Sequence, residues 1–188
     1  RYDTFCQYDV QLSVVTNDGC TNNLIRNVFI QSYGTPSVSA GYFEDFELSP
    51  GTWVQTKANN GAQVADLITT ENSWVWGTPS GSIVNSAATG SVNAWWTGLN
   101  PNALTTNSTY YNTEKSAVIG PCLNLTNIER PMISVDYWSD LEDQRDGAVL
   151  QYSVDGGVNW LAVGDISGAG LNWYNRGALV GNPGLQNI

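Results

Sequence analysis

The sequence predicts an all-β protein of the sandwich or jelly-roll kind. Two observations carry this. Apolar and polar residues alternate with a period of two in several short runs, and no run keeps the 3.6-residue period of a convincing amphipathic helix. Asn, Gly, Thr, Ser and Pro also punctuate the chain at short intervals, with β-branched and aromatic runs between them. That is the spacing of many short strands joined by turns.

The first element is a hairpin. Val10, Leu12 and Val14 alternate with Gln11, Ser13 and Val15, Asn17-Asp18-Gly19 turns the chain, and Leu24 to Ile30 returns. Two strands alone bury too little apolar surface to stand, so this ribbon is expected to belong to a domain with further strands before Arg1. Cys6 and Cys20 would then sit near opposite ends of a strand, further apart than a disulfide spans, and no bond between them is expected. A cysteine upstream of the segment would be the partner of Cys20.

Next comes QSYGTPSVSAG, Gln31 to Gly41, uncharged and rich in Ser, Gly and Pro, which reads as a linker or an extended lead-in. A second hairpin lies at Asp146 to Asp165. Ala148, Leu150, Tyr152 and Val154 form one side of its first strand, Asp155-Gly156-Gly157 supplies the turn, and Val158 to Val163 returns with Trp160 as a large buried residue.

Two resemblances organise these pieces. YDVQLSVVTNDGC, Tyr8 to Cys20, resembles the end of a PKD domain, the immunoglobulin-like module whose last strands run Tyr-x-Val-x-Leu-x-Val before an Asn/Gly turn. From Gly41 on, Phe43 to Glu47, Trp76-Gly77, Gly120-Pro121-Cys122, Ser134 to Trp138 and Leu150 to Trp160 follow the order of motifs in MAM-like jelly rolls. The resemblance implies residues 1–34 as C-terminal strands of a PKD-like domain, 35–40 as linker, and 41–188 as a MAM-like jelly roll lacking its last strands. The all-β fold would thus be the end of an immunoglobulin-like domain followed by a jelly-roll β-sandwich, incomplete at both termini.

Composition limits function. The 188 residues carry 7 basic and 17 acidic side chains, a formal charge of -10, so no basic face exists for nucleic acid or an anionic membrane surface. Charged residues make up only 13%, which leaves Asn, Thr, Ser, Gln and Gly to cover the surface and suits an extracellular β-protein. No run approaches the ~20 apolar residues of a membrane helix. The chain opens Arg1-Tyr2-Asp3 without a signal peptide or initiator methionine, and reads as a fragment of a longer, processed polypeptide.

Two carboxylate sets are candidates for structural Ca²⁺, which takes six to eight oxygens. One is the loop SDLEDQRDG, with Asp140, Glu142, Asp143 and Asp146. Its spacing is not that of an EF-hand, and the plain alternative is a solvated loop partly neutralised by Arg145. The other is FEDFE, with Glu44, Asp45 and Glu47. The MAM-like resemblance implies a cation held near this segment, but strand alternation would keep the three carboxylates off one face. Zinc is excluded by the absence of histidine and of any CxxC pair.

Among the eight tryptophans, Trp76, Trp138 and Trp160 sit in strand-like runs and are expected in the core. Trp95 and Trp96 must face opposite ways in a strand, so one of them is the candidate for stacking on a sugar. Catalysis is not expected. There is no histidine for a triad, no Gly-x-Ser-x-Gly elbow and no partner base for a cysteine. The resemblances imply a non-catalytic binding and spacing module of a large bacterial surface adhesin of the gliding type, exported by the type IX route. Its partner would be a polysaccharide, a surface glycan or other β-modules of the same chain. The alternative is an accessory domain, binding carbohydrate or protein, of a secreted hydrolase.

Overall fold

A computed structural model of the chain describes residues 6–30, 33–34, 36, 40–55, 72–88, 90–98, 110–111, 114–157, 159–168, 170 and 173–180. Among them the fold is all-β, without a helix. Ten strands form five two-stranded pairs, four antiparallel and one parallel.

Strands β1 (Cys6–Val15) and β2 (Thr21–Ile30) make the first hairpin, with Leu12 opposite Leu24 and Val15 opposite Thr21. Both strands are longer than the sequence run suggests, because ladder hydrogen bonds extend through the polar positions at either end. The turn is local chemistry. Thr16 O accepts from Gly19 N at 2.9 Å, Thr16 N donates to Cys20 O at 2.9 Å, and Gly19 takes the left-handed φ of 82°. That is a type I turn closed by a glycine bulge, which matches the right-handed twist of the ribbon. Cys6 pairs with Ile30 at the end away from Cys20, whose thiol is exposed and in no disulfide. The ribbon's apolar residues remain open to solvent, with Leu12 58% and Leu24 50% exposed.

Strand β3 (Tyr33–Gly34) runs parallel to β8 (Cys122–Leu123), and Asn124 N donates to Gly34 O at 2.9 Å. The end of the expected first module is thereby tied to the Gly120-Pro121-Cys122 region. Most of the expected 35–40 linker lies outside the described residues. Strand β4 (Val54–Gln55) pairs with β7 (Val118–Ile119), burying Ile119 to 6% exposure.

Strands β5 (Trp74–Gly77) and β6 (Ala94–Thr97) form a further antiparallel pair, which carries the buried Trp96. Its register sets Trp76 opposite Trp95 and Val75 opposite Trp96. Opposed residues share a face, so Trp76 and Trp95 lie on one side and Trp96 on the other. Trp96 is only 9% exposed. A Cβ on Gly98 would stand 2.1 Å from the Trp96 ring, so the chain passes the indole where only glycine fits.

Strands β9 (Gln151–Tyr152) and β10 (Leu161–Ala162) form the last hairpin. Gly156 and Gly157 supply positive φ angles of 74° and 86°, as the sequence predicts. The Asp155 carboxylate organises the loop by accepting from Asn159 N at 2.9 Å, Asn159 Nδ2 at 2.6 Å and Ser153 Oγ at 2.8 Å. The Trp160 indole N–H then closes onto Gly157 O at 3.0 Å. The ladder is shorter than expected, and Tyr152 and Val154 on the supposed core face are exposed.

Ser134 to Trp138, expected as a strand, departs from the sequence reading. The segment joins no ladder among the described residues, and Trp138, expected in the core, is 58% exposed. The physical reason lies in the pattern itself. Ile133, Val135 and Tyr137 alternate with Ser134 and Asp136, so Trp138 shares the side of two polar residues, and Ile133, Val135 and Tyr137 are themselves 50–70% exposed.

Candidate functional site

The FEDFE carboxylates do not converge. Glu44 Oε1 accepts from Phe46 N at 3.0 Å and Asp45 Oδ1 from Glu47 N at 3.1 Å, each closing a local turn. Glu47 reaches outward, its Oε1 accepting from Val92 N at 2.9 Å and Asn93 N at 3.1 Å. Asn93 Nδ2 answers by donating to Glu47 O at 2.9 Å. The segment follows no strand, and Phe46 takes a φ of 60°. A left-handed, non-glycine residue there is strained and must be held by its surroundings. The holding groups are visible: the Trp76 indole N–H donates to Phe46 O at 2.8 Å, and the Phe46 ring meets Trp53 edge-on at 5.7 Å.

Residues 42–53 therefore form a clasp over the Trp76–Trp95 face of the β5–β6 hairpin. Trp95 Nε1 donates to Pro50 O at 3.4 Å and Trp53 Nε1 to Tyr42 Oη at 2.9 Å. Trp95 is half-buried beside the clasp, and Trp96 is buried.

A buried polar knot that sequence reasoning missed lies beside this hairpin. Ser73 is fully buried, and its N–H and hydroxyl donate to Glu114 Oε1 at 2.8 and 2.9 Å. Tyr111 N donates to Glu114 Oε2 at 2.9 Å, and the Ser116 hydroxyl also donates to this carboxylate. Nothing in the local sequence marks Glu114, because its partner Ser73 lies 41 residues away.

The acidic loop is likewise divided among protein partners. Glu142 pairs with Arg145 at 3.3 Å and Asp143 with Arg176 at 2.8 Å, while Asp140 is exposed. Asp146 Oδ2 accepts from the Tyr110 hydroxyl at 2.6 Å. Burial, together with the Asp146 hydrogen bond and its charge, pushes the Tyr110 hydroxyl up to about 12. Hydrogen bonds from the Gln144 amide and from Arg176 hold the Asp143 carboxyl below its ordinary value. The loop is docked rather than loose, for Val180 N donates to Gln144 O at 2.8 Å. Next to it, the Tyr174 hydroxyl accepts from Leu150 N at 3.2 Å and donates to Val163 O at 3.0 Å. The Trp173 indole N–H donates to the same Val163 carbonyl at 3.0 Å. Among the described residues, no group of three or more Asp, Glu, Cys or His side chains is gathered as cation ligands.

Among the described residues, a cleft lies between Trp138 and the loop after β5. It has a volume of about 170 Å³ and is lined by Ile83, Val84, Asn85, Ser86 and Trp138. Its loop follows β5 directly. A turn in which Gly81 N donates to Val84 O at 2.9 Å shapes it, and Thr78 Oγ1 ties its base to Asn93 Oδ1 at 2.9 Å. The volume falls below the ~300–1,000 Å³ of sites that enclose a whole small molecule, so the cleft suits one ring or edge of a larger ligand.

No protein-family model matches the chain, and no solved structure matches it. Bacillopeptidase F of Bacillus subtilis (strain 168) is 29% identical over 141 residues, 75% of this chain. Those residues span only 8% of that protein. Among the described residues, no helix is long and apolar enough to cross a membrane.

Proposed function

We propose that the chain is a non-catalytic, extracellular β-module carried as an accessory segment of a longer peptidase-related polypeptide. The observation that carries this reading is the similarity to Bacillopeptidase F, which extends over three quarters of the chain but a small fraction of the relative. A module accounts for that proportion, since a part shared at 8% of a protein's length is a building block of it. The PKD-like reading of residues 1–34 and the MAM-like jelly-roll reading of 41–188 fit the same picture. Strands of the preceding domain would then cover Leu12 and Leu24.

Absence of catalysis is supported by the chemistry of the chain. There is no histidine to act as general base. Apart from Asp140, the carboxylates singled out by sequence hold backbone N–H groups, a tyrosine or an arginine. The adhesin reading predicts the same kind of non-catalytic module, but the similarity to a peptidase favours the accessory role. Incubation of the 188-residue chain with casein tests this. The expected result is no cleavage by the chain and cleavage by the native polypeptide that carries it. Cleavage by the chain alone, abolished by substitution of one of its own residues, would overturn the proposal.

A further inference from the structure

The cleft between Trp138 and the loop after β5 carries a ligand class. Three properties define it. Trp138 is a large, stiff aromatic ring, 58% exposed, with no strand laid over it among the described residues. Ile83 and Val84 give the cleft aliphatic lining, and the exposed Asn85 and Ser86 add one amide and one hydroxyl. No lining residue is charged, and the nearest charges along the Trp138 segment are the acidic Asp136 and Asp140.

An exposed indole beside neutral donors and acceptors matches a pyranose ring. The apolar C–H face of the sugar covers the indole, and the equatorial hydroxyls meet amide and hydroxyl groups. A polyanionic glycan would meet Asp136, Asp140 and a net charge of -10 and be repelled. A polypeptide partner is the weaker match, because a stable protein interface takes about 20–30 residues a side and this cleft is lined by five.

We propose that this cleft binds one sugar unit of a neutral polysaccharide, with the Trp138 indole stacked on the ring and Asn85 and Ser86 hydrogen-bonded to its hydroxyls. The proposal rests on the reading of the chain as a non-catalytic module and gives that module its ligand. It also places a sugar contact at a tryptophan whose sequence pattern reads as core.

The test is titration calorimetry of the 188-residue chain with cellohexaose and xylohexaose, with polygalacturonate as the charged comparison. Saturable binding to at least one neutral oligosaccharide and none to polygalacturonate is expected. Trp138→Ala should weaken binding about tenfold or more with an unchanged melting temperature, and Asn85→Ala should weaken it by a smaller factor. Absence of binding to both neutral probes, or binding indifferent to Trp138→Ala, overturns the proposal. So does a fall of several degrees in the melting temperature of Trp138→Ala, since it would show that the ring is packed. None of these failures touches the accessory-module reading, which the casein assay decides separately.

Discussion

The Glu114 carboxylate accepts both the backbone N–H and the hydroxyl of Ser73, at 2.8 and 2.9 Å, and Ser73 is fully buried. This one contact joins the start of β5 to the segment that leads into β7. A buried donor without an acceptor costs about 1–3 kcal/mol.

Removing Glu114 is therefore expected to be more damaging than removing any surface carboxylate. Glu114→Ala should lower stability by about 2–3 kcal/mol in urea unfolding, while Glu114→Gln, which keeps one carbonyl acceptor, should cost less. A Glu114→Ala variant as stable as the parent would show that the knot is not formed.

Glu47 is predicted to act as a backbone cap rather than as a cation ligand. Its Oε1 holds Val92 N and Asn93 N, so Glu47→Ala should destabilise by about 1–2 kcal/mol. Chelation with EDTA should leave the melting temperature where it was, because Glu47, Asp143 and Asp146 already have protein partners. A drop on chelation, restored by Ca²⁺, would instead place a cation on these carboxylates.

Tyr110 gives the structure a signature at high pH. Its hydroxyl is raised from 10.0 to about 12, so the folded chain keeps this proton where the unfolded chain releases it. Stability from Tyr110 is thus complete below about pH 10 and is lost as pH rises towards about 12. Ultraviolet titration of tyrosinate should show one late-titrating group that disappears in Tyr110→Phe. Asp146→Asn should bring its titration down towards the ordinary range without fully restoring it, because burial contributes most.

At the exposed pair of Asp143 and Arg176 the effect should be on titration rather than on stability. Gln144 and then Arg176 lower the Asp143 carboxyl, so Arg176→Ala should raise it only part of the way back. The sign for stability follows: whatever the pair adds is present above the ordinary carboxylate value and is lost as pH falls through the lowered one. Carbon-13 NMR of the carboxyl groups would read this directly, and the melting temperature should hardly move, as for most exposed ion pairs.

What could be read from the sequence was what is encoded locally. Period-two alternation with Asn17-Asp18-Gly19 marked the first hairpin, and Gly156-Gly157 marked the last, because turn geometry depends on a few adjacent residues. The opposed faces of Trp95 and Trp96 were legible for the same reason. Which face would be covered was not, since the cover comes from Phe46 and Pro50, far away in the chain. The carboxylates show the same limit: acidity was visible at Glu47, but its partners Val92 and Asn93 lie 45 and 46 residues on. Trp138 is the sharpest case. An apolar run cannot say whether a strand will lie over it.

The measurement closest to the central claim is peptide mapping of the native polypeptide that carries this sequence, with its mass taken on a denaturing gel. The expected result is one long chain in which these residues are contiguous with a separate peptidase domain. A long chain built only of similar β-modules, with no peptidase domain, would contradict it and return the protein to the adhesin reading.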